Sequence, residues 1–195
     1  IFAPIGEKLA ESLGIPFYDS ELIKVAAKES GICEEIFESF DEKPTTSFLY
    51  SLVMDPYSLG YNSNSFDLPL NHKVFLAAFD TIKELASKGP CVFVGRCADY
   101  ALSEYKDCFS VFVHADTDWR INRLSQKHNK TAKEAKDMIN KTDKSRSSYY
   151  NYYTNKKWGA ASSYNLCVDS SKLGIDGAAK AIIQAIEIFD SIKNK

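Results

Sequence analysis

Apolar residues in this chain recur with two different periods, and the switch between them marks the elements. Ile5, Leu9 and Leu13 stand at helical spacing with Gly14 as a stop, so residues 5–14 predict a first helix. IPFYD (15–19) predicts a short strand, after which helical spacing returns over 20–30 and again, briefly, over 33–40. NHKVFLAAFDTIKELASK (71–88) predicts an amphipathic helix closed by Gly89 and Pro90. CVFVG (91–95), FSVFVHA (109–115) and YNLCVDSS (164–171) are apolar runs of strand length. CADYALSEY predicts a short helix, and DTDWRINRLSQKHN a helix capped by Asp116 or Thr117. TAKEAKDMINKT predicts another, which runs into a basic, tyrosine-rich stretch ending near Trp158, and DGAAKAIIQAIEIFDSIKNK predicts the last. Buried strands alternating with helices describe a parallel sheet covered on both faces. The expected fold class is therefore α/β, a three-layer α/β/α domain with a mostly parallel sheet spanning residues 1–195.

One stretch breaks the pattern. From Pro44 to Pro69 the chain is aromatic, rich in Ser and Asn, and punctuated by Pro and Gly, with no stable period. It predicts a partly helical, mobile insert, and its aromatics point to function rather than linkage.

Composition narrows the class. The 195 residues suffice for one ordinary domain, and 45% hydrophobic with 26% charged residues is a globular balance. A formal net charge of −2 supplies no overall field for nucleic acid or a membrane surface. Between Arg120 and Lys157, however, basic residues outnumber acidic ones, which suggests a local anion partner. The five cysteines are scattered, with neither C-x-x-C spacing nor histidines at metal-ligand intervals, so a reduced, cytoplasmic protein without a zinc site is expected. No apolar run has the length of a membrane span.

Ligands of open α/β sheets bind beyond the carboxyl ends of the strands, where this chain places Asp19, Gly95 and Arg96, His114 to Asp116, and Asp169 with Ser170. Asp19 reads equally as a helix cap and as a carboxylate orienting a ligand. Arg96 follows a glycine at the end of a buried strand, a place where a planar guanidinium suits a phosphate or a base edge. Asp99 close behind is either a second ligand contact or the arginine's counter-charge. Arg120 and Arg123 share one helix face. Lys141, Lys144 and Arg146, with Asp143 among them, add mobile cations of the kind that phosphoryl transfer needs to neutralise spread-out charge. YYNYY (149–153) is either a stacking platform for bases or a packing cluster at a hinge. His72, His114 and His128 are isolated, and Cys97 has no visible base. A nucleotide site would also want a strand and a glycine-rich loop before the first helix, but only IFAP stands there. Either the loop is lacking or the chain is incomplete near its start, IFA then being a remnant of the first strand with loop residues missing before Pro4 or Ile5.

Taken together, IGEKLAESLGIPFYDSELI, KELASKGPCVFVGRCADYAL, VFVHADTDWRINRL, KTDKSRSSYYNYYTNKKWG and YNLCVDSS resemble the cytidylate kinase-like family of P-loop nucleoside monophosphate kinases. The resemblance implies a P-loop kinase-like fold with a helical lid over 120–157 and a monophosphate-binding insert over 44–69. It implies an ATP- and Mg²⁺-dependent kinase acting on a nucleoside monophosphate, CMP or dCMP first, while the charge balance gives no reason to expect a nucleic-acid or membrane partner. Asp19, Arg96 and Asp99 would bind the acceptor, although Gly-Arg-x-x-Asp is looser here than the family's Gly-Arg-Asp. Arg120, Arg123, Asp143 and Arg146 would carry catalysis, with Arg120, Lys141 and Lys144 on ATP. A nucleotide-binding regulatory protein without turnover, or a kinase for another small acceptor, are the alternatives.

Overall fold

The computed structural model describes residues 2–19 and 70–193. The helices expected over 20–30 and 33–40 and the insert over 44–69 lie outside the described residues. Among the described residues the order is α1 (Phe2–Leu13), β1 (Phe17–Tyr18), α2 (Leu70–Ser87), β2 (Val92–Phe93) and α3 (Ala98–Ala101). It continues with β3 (Val111–His114), α4 (Thr117–His128), α5 (Ala132–Thr154), a 3-10 turn at Ala161–Ser163, β4 (Leu166–Asp169) and α6 (Ser170–Lys193).

The strands pair in parallel, as expected: Phe17 lies against Val92, and β3 runs beside β4 from Val111–Leu166 to His114–Asp169. The described strands nevertheless form two separate two-stranded pairs rather than one continuous three-layer sheet. They are shorter than their apolar runs because the backbone leaves extended geometry early. β2 is cut off where Gly95, Arg96 and Cys97 all take positive φ.

Ile5 and Leu9 of α1 join Val113, Val168, Ala178, Ala179 and Ile182 in one buried cluster, with Val92 packed against it. Phe93, the next residue of β2, packs instead with Ile82 and Leu85 of α2, so successive strand residues serve opposite faces. Replacing Ile182, 1% exposed at the centre of the first cluster, by alanine should cost about 2–5 kcal/mol in urea unfolding; a cost under about 1 kcal/mol would contradict its central place.

Three boundaries differ from expectation. α1 starts at Phe2, so residues 2–4 are its first turn and not a strand remnant. Pro4 is tolerated there because first-turn amides have no intrahelical partner. α1 also presses directly on the strands, since a Cβ on Gly6 would stand 2.6 Å from a Phe17 ring carbon and 2.9 Å from a Val94 methyl. α5 begins with a reciprocal Thr131–Glu134 capping box and continues unbroken to Thr154, through the tyrosines. α6 begins at Ser170, directly off β4, and breaks at Gly174 (φ 67°), close to where the sequence pattern places its start.

Candidate functional site

β1 and β2 deliver two of the sequence's candidates to one point. Asp19 directly follows β1 and Arg96 closes the turn after β2; Arg96 Nη1 donates to Asp19 Oδ1 at 2.9 Å and to the Val94 carbonyl at 3.3 Å. The Arg96 side chain is only 10% exposed and that of Asp19 28%, so the pair sits at the rim of the core rather than in solvent. Its backbone is strained: Arg96 (φ 53°) and Cys97 (φ 55°) are non-glycine residues in the left-handed region, directly after Gly95 (φ 79°). Each such residue costs about 1–3 kcal/mol and persists only where its surroundings over-determine it, a condition that clusters at ligand sites. Cys97 supplies part of that constraint, being 4% exposed and packed with Phe75, Tyr149 and Tyr150. That burial removes it from consideration as a nucleophile.

A second constellation lies between α4 and α5. Arg120 Nη1 and Nη2 donate to the two carboxylate oxygens of Asp143, each at 2.7 Å, in a bidentate fork. The two side chains are 21% and 27% exposed. Arg123, three residues on, holds its guanidinium 5.4 Å from the centre of the Trp119 ring. Asp143 and Arg146 lie on the inward stripe of α5, between buried Ile139 and buried Tyr150, and both are half-buried. Lys141 and Lys144 are exposed on the same helix. Thus Arg120 and Asp143, and separately Asp19 and Arg96, are brought together as ion pairs.

The carboxyl ends of β3 and β4 form a third polar group. Ser171 donates its hydroxyl and its amide to Asp169 Oδ1, and the Asp116 amide donates to the Ser171 hydroxyl at 3.2 Å. The Ser171 hydroxyl bond, with its amide and His114 adding to it, holds the Asp169 carboxyl below the usual range. Lys172 pairs with Asp116 at 2.9 Å, which raises its own pKa.

Asp99 turns to partners that sequence spacing did not suggest. It accepts the Tyr150 hydroxyl at 2.7 Å and stands 3.9 Å from Lys156 Nζ. It also lines a polar cleft of about 290 Å³ with Lys156, Ser103, Ser163 and Asn165. Tyr149 and Tyr150 are 5% and 6% exposed, and Phe75 stacks on Tyr153 with ring centres 3.9 Å apart. These tyrosines are core, with Tyr152 left exposed. A run of adjacent aromatics was the only signal in the sequence, and it did not say which ones face inward.

A family model described as the cytidylate kinase-like family matches residues 3–172. The chain belongs to this family. The matched span takes in both ion pairs, so the kinase-like chain carries Asp19–Arg96 and Arg120–Asp143 inside its family region. The chain is also similar to a protein from Eubacterium ventriosum ATCC 27560 known from a crystal structure and described as uncharacterized. The two are 25% identical with a TM-score of 0.69, over 95% of this chain and 93% of that one. A search among curated proteins finds no match. Among the described residues no helix is long and apolar enough to cross a membrane.

Proposed function

We propose that this kinase-like chain transfers the γ-phosphoryl group of ATP to a nucleoside monophosphate, CMP or dCMP before others. The observation that carries the reading is the largely buried guanidinium of Arg96, held by Asp19 at the carboxyl ends of two parallel strands in a strained left-handed turn. A rigid fork at that place matches a monophosphate. Family membership supports kinase activity, and the choice of CMP or dCMP follows only the family's description as cytidylate kinase-like.

In the reaction, an acceptor phosphate oxygen attacks the γ-phosphorus of ATP. The new P–O bond forms as the bond to the β,γ-bridging oxygen breaks, and ADP leaves with that electron pair. Charge spreads over the equatorial oxygens of the transferring group, so positioned cations do most of the work. Arg96 binds the acceptor, with Asp19 fixing the plane of its guanidinium. Arg120 reaches the ATP phosphates: of its five N–H donors, Asp143 engages two and so orients the rest. Arg123 and Arg146 add charge at the transferring group, while the exposed Lys141 and Lys144 draw ATP to the lid. Among the described residues no group of three or more His, Cys, Asp or Glu side chains gathers as a metal cage. In this reading Mg²⁺ would be held mainly by ATP phosphates and water.

Initial rates of ADP release with CMP, dCMP, UMP and AMP test the reading. Fastest release with CMP or dCMP is expected; a faster purine would overturn the base choice. Tight nucleotide binding without ADP release from any of them would replace the kinase by a nucleotide-binding regulatory protein.

A further inference from the structure

The turn that carries Arg96 is tied to α5, the helix that carries Asp143 and Arg146, through Asp99. Tyr150 donates to Asp99 Oδ2 at 2.7 Å, and Lys156 Nζ lies 3.9 Å from that same oxygen. Around this bond Cys97, Phe75, Tyr149 and Tyr150 form one buried cluster, packed against Phe79, Tyr153, Trp158 and Tyr164. Residues 143, 146 and 150 are spaced three and four apart, so they share one stripe of the helix. Whatever fixes the rotation of α5 at Tyr150 therefore also aims Asp143 and Arg146. On the other side of the bond, Asp99 is three residues beyond Arg96. The Ala98 amide bonds to the Gly95 carbonyl, and the Tyr100 and Ala101 amides bond to the Cys97 carbonyl, so the turn and α3 move as a unit. Burial, with the bond to Asp99 adding to it, pushes the Tyr150 hydroxyl well above its ordinary pKa, so it remains a donor.

We propose that Asp99 is a positioning residue that acts through the Tyr150 hydroxyl, clasping the Arg96 turn to α5 so that acceptor-side and lid-side arginines keep a fixed relative placement. Direct contact between Asp99 and the acceptor, which the family resemblance implies, is the competing role. The kinetic arm of the test rests on the proposed kinase activity; the exchange arm does not.

The full chain is compared with Tyr150→Phe, Asp99→Ala and the double variant. Tyr150→Phe deletes one oxygen and keeps the ring in its cluster. It should raise the acceptor KM about tenfold, the size of one hydrogen bond to a charged group. The ATP KM should stay within about twofold, a split that a purely structural loss would not produce. Asp99→Ala, which removes both acceptor oxygens, should do the same, and the double variant should be no worse than the worse single one. If Asp99→Ala alone raises the acceptor KM, or the two effects add, Asp99 touches the acceptor and the clasp is wrong. If melting falls while both KM values hold, the bond is structural only and the proposal fails. Amide exchange decides independently of turnover. In Tyr150→Phe the amides of Ala98, Tyr100 and Ala101 should exchange about tenfold faster while that of Leu166 in β4 is unchanged. A wild-type chain that turns over no monophosphate would remove the kinase reading and leave this result standing. Unchanged exchange at those three amides would overturn the clasp even in an active enzyme.

Discussion

Arg96→Lys should raise the acceptor KM about a hundredfold, the scale of exchanging a bidentate guanidinium contact for a single ammonium. The structure explains why the loss should be confined to binding. Lysine keeps the positive charge beside Asp19, whose carboxylate is only partly exposed, and flexible lysine makes no greater demand on the left-handed backbone at this position. The melting temperature should therefore fall by no more than a few degrees. Arg96→Ala is the contrasting variant, because it leaves Asp19 partly buried without this partner, and it should lose stability as well as binding. Thermal melts and acceptor titrations on both variants separate the two effects. A lysine variant that melts well below wild type yet binds acceptor normally would make Arg96 a structural ion-pair residue.

Removing the Arg120 guanidinium should be felt in kcat instead. Arg120→Ala should lower kcat by about 10²–10³-fold, the usual scale for one preorganised donor aimed at developing charge. Asp143→Asn keeps the arginine but swaps one carboxylate oxygen for an amide that cannot accept its donors, breaking half of the fork. The arginine then points less well, and kcat should fall only about tenfold, with ATP affinity nearly kept. The order of the two variants is the informative part. Equal losses of total activity in both, with a lower melting temperature but normal kcat per folded molecule, would make the fork a brace between α4 and α5 and nothing more.

Much of the fold was legible because amphipathic helices announce themselves. The period from Val74 to Leu85 defines α2 to within one residue at either end, and Ile5, Leu9 and Leu13 locate α1. The length of α5 was not legible, and the reason is chemical. Its inward stripe runs from Ala135 and Ile139 to Tyr150, and Asp143 and Arg146 occupy the positions between, where a continuous helix would show apolar residues. Candidate functional residues placed on a buried stripe erase the pattern that would have revealed the helix. The strands were overextended for a related reason: apolar character continues to Val94, but left-handed geometry from Gly95 onward ends the pairing.

The candidate site was legible residue by residue and opaque in its pairings. Asp19 and Arg96 are 77 positions apart, Arg120 and Asp143 are 23 apart, and Asp99 and Tyr150 are 51 apart. Local spacing assigns each a strand end or a helix face, but says nothing about which face meets which. That gap matters most for Asp99. Three residues beyond Arg96 it looks like the arginine's companion, yet α3 turns it toward Tyr150 and Lys156.

The central claim, phosphoryl transfer from ATP to a pyrimidine monophosphate, is tested most directly by following the label. The chain is incubated with CMP and ATP labelled in its γ-phosphate, and the products are separated. The account predicts label in the β-phosphate of CDP, formed in step with ADP and diminished in Arg96→Lys at low CMP. Label that stays in ATP, or appears only in inorganic phosphate, would contradict it.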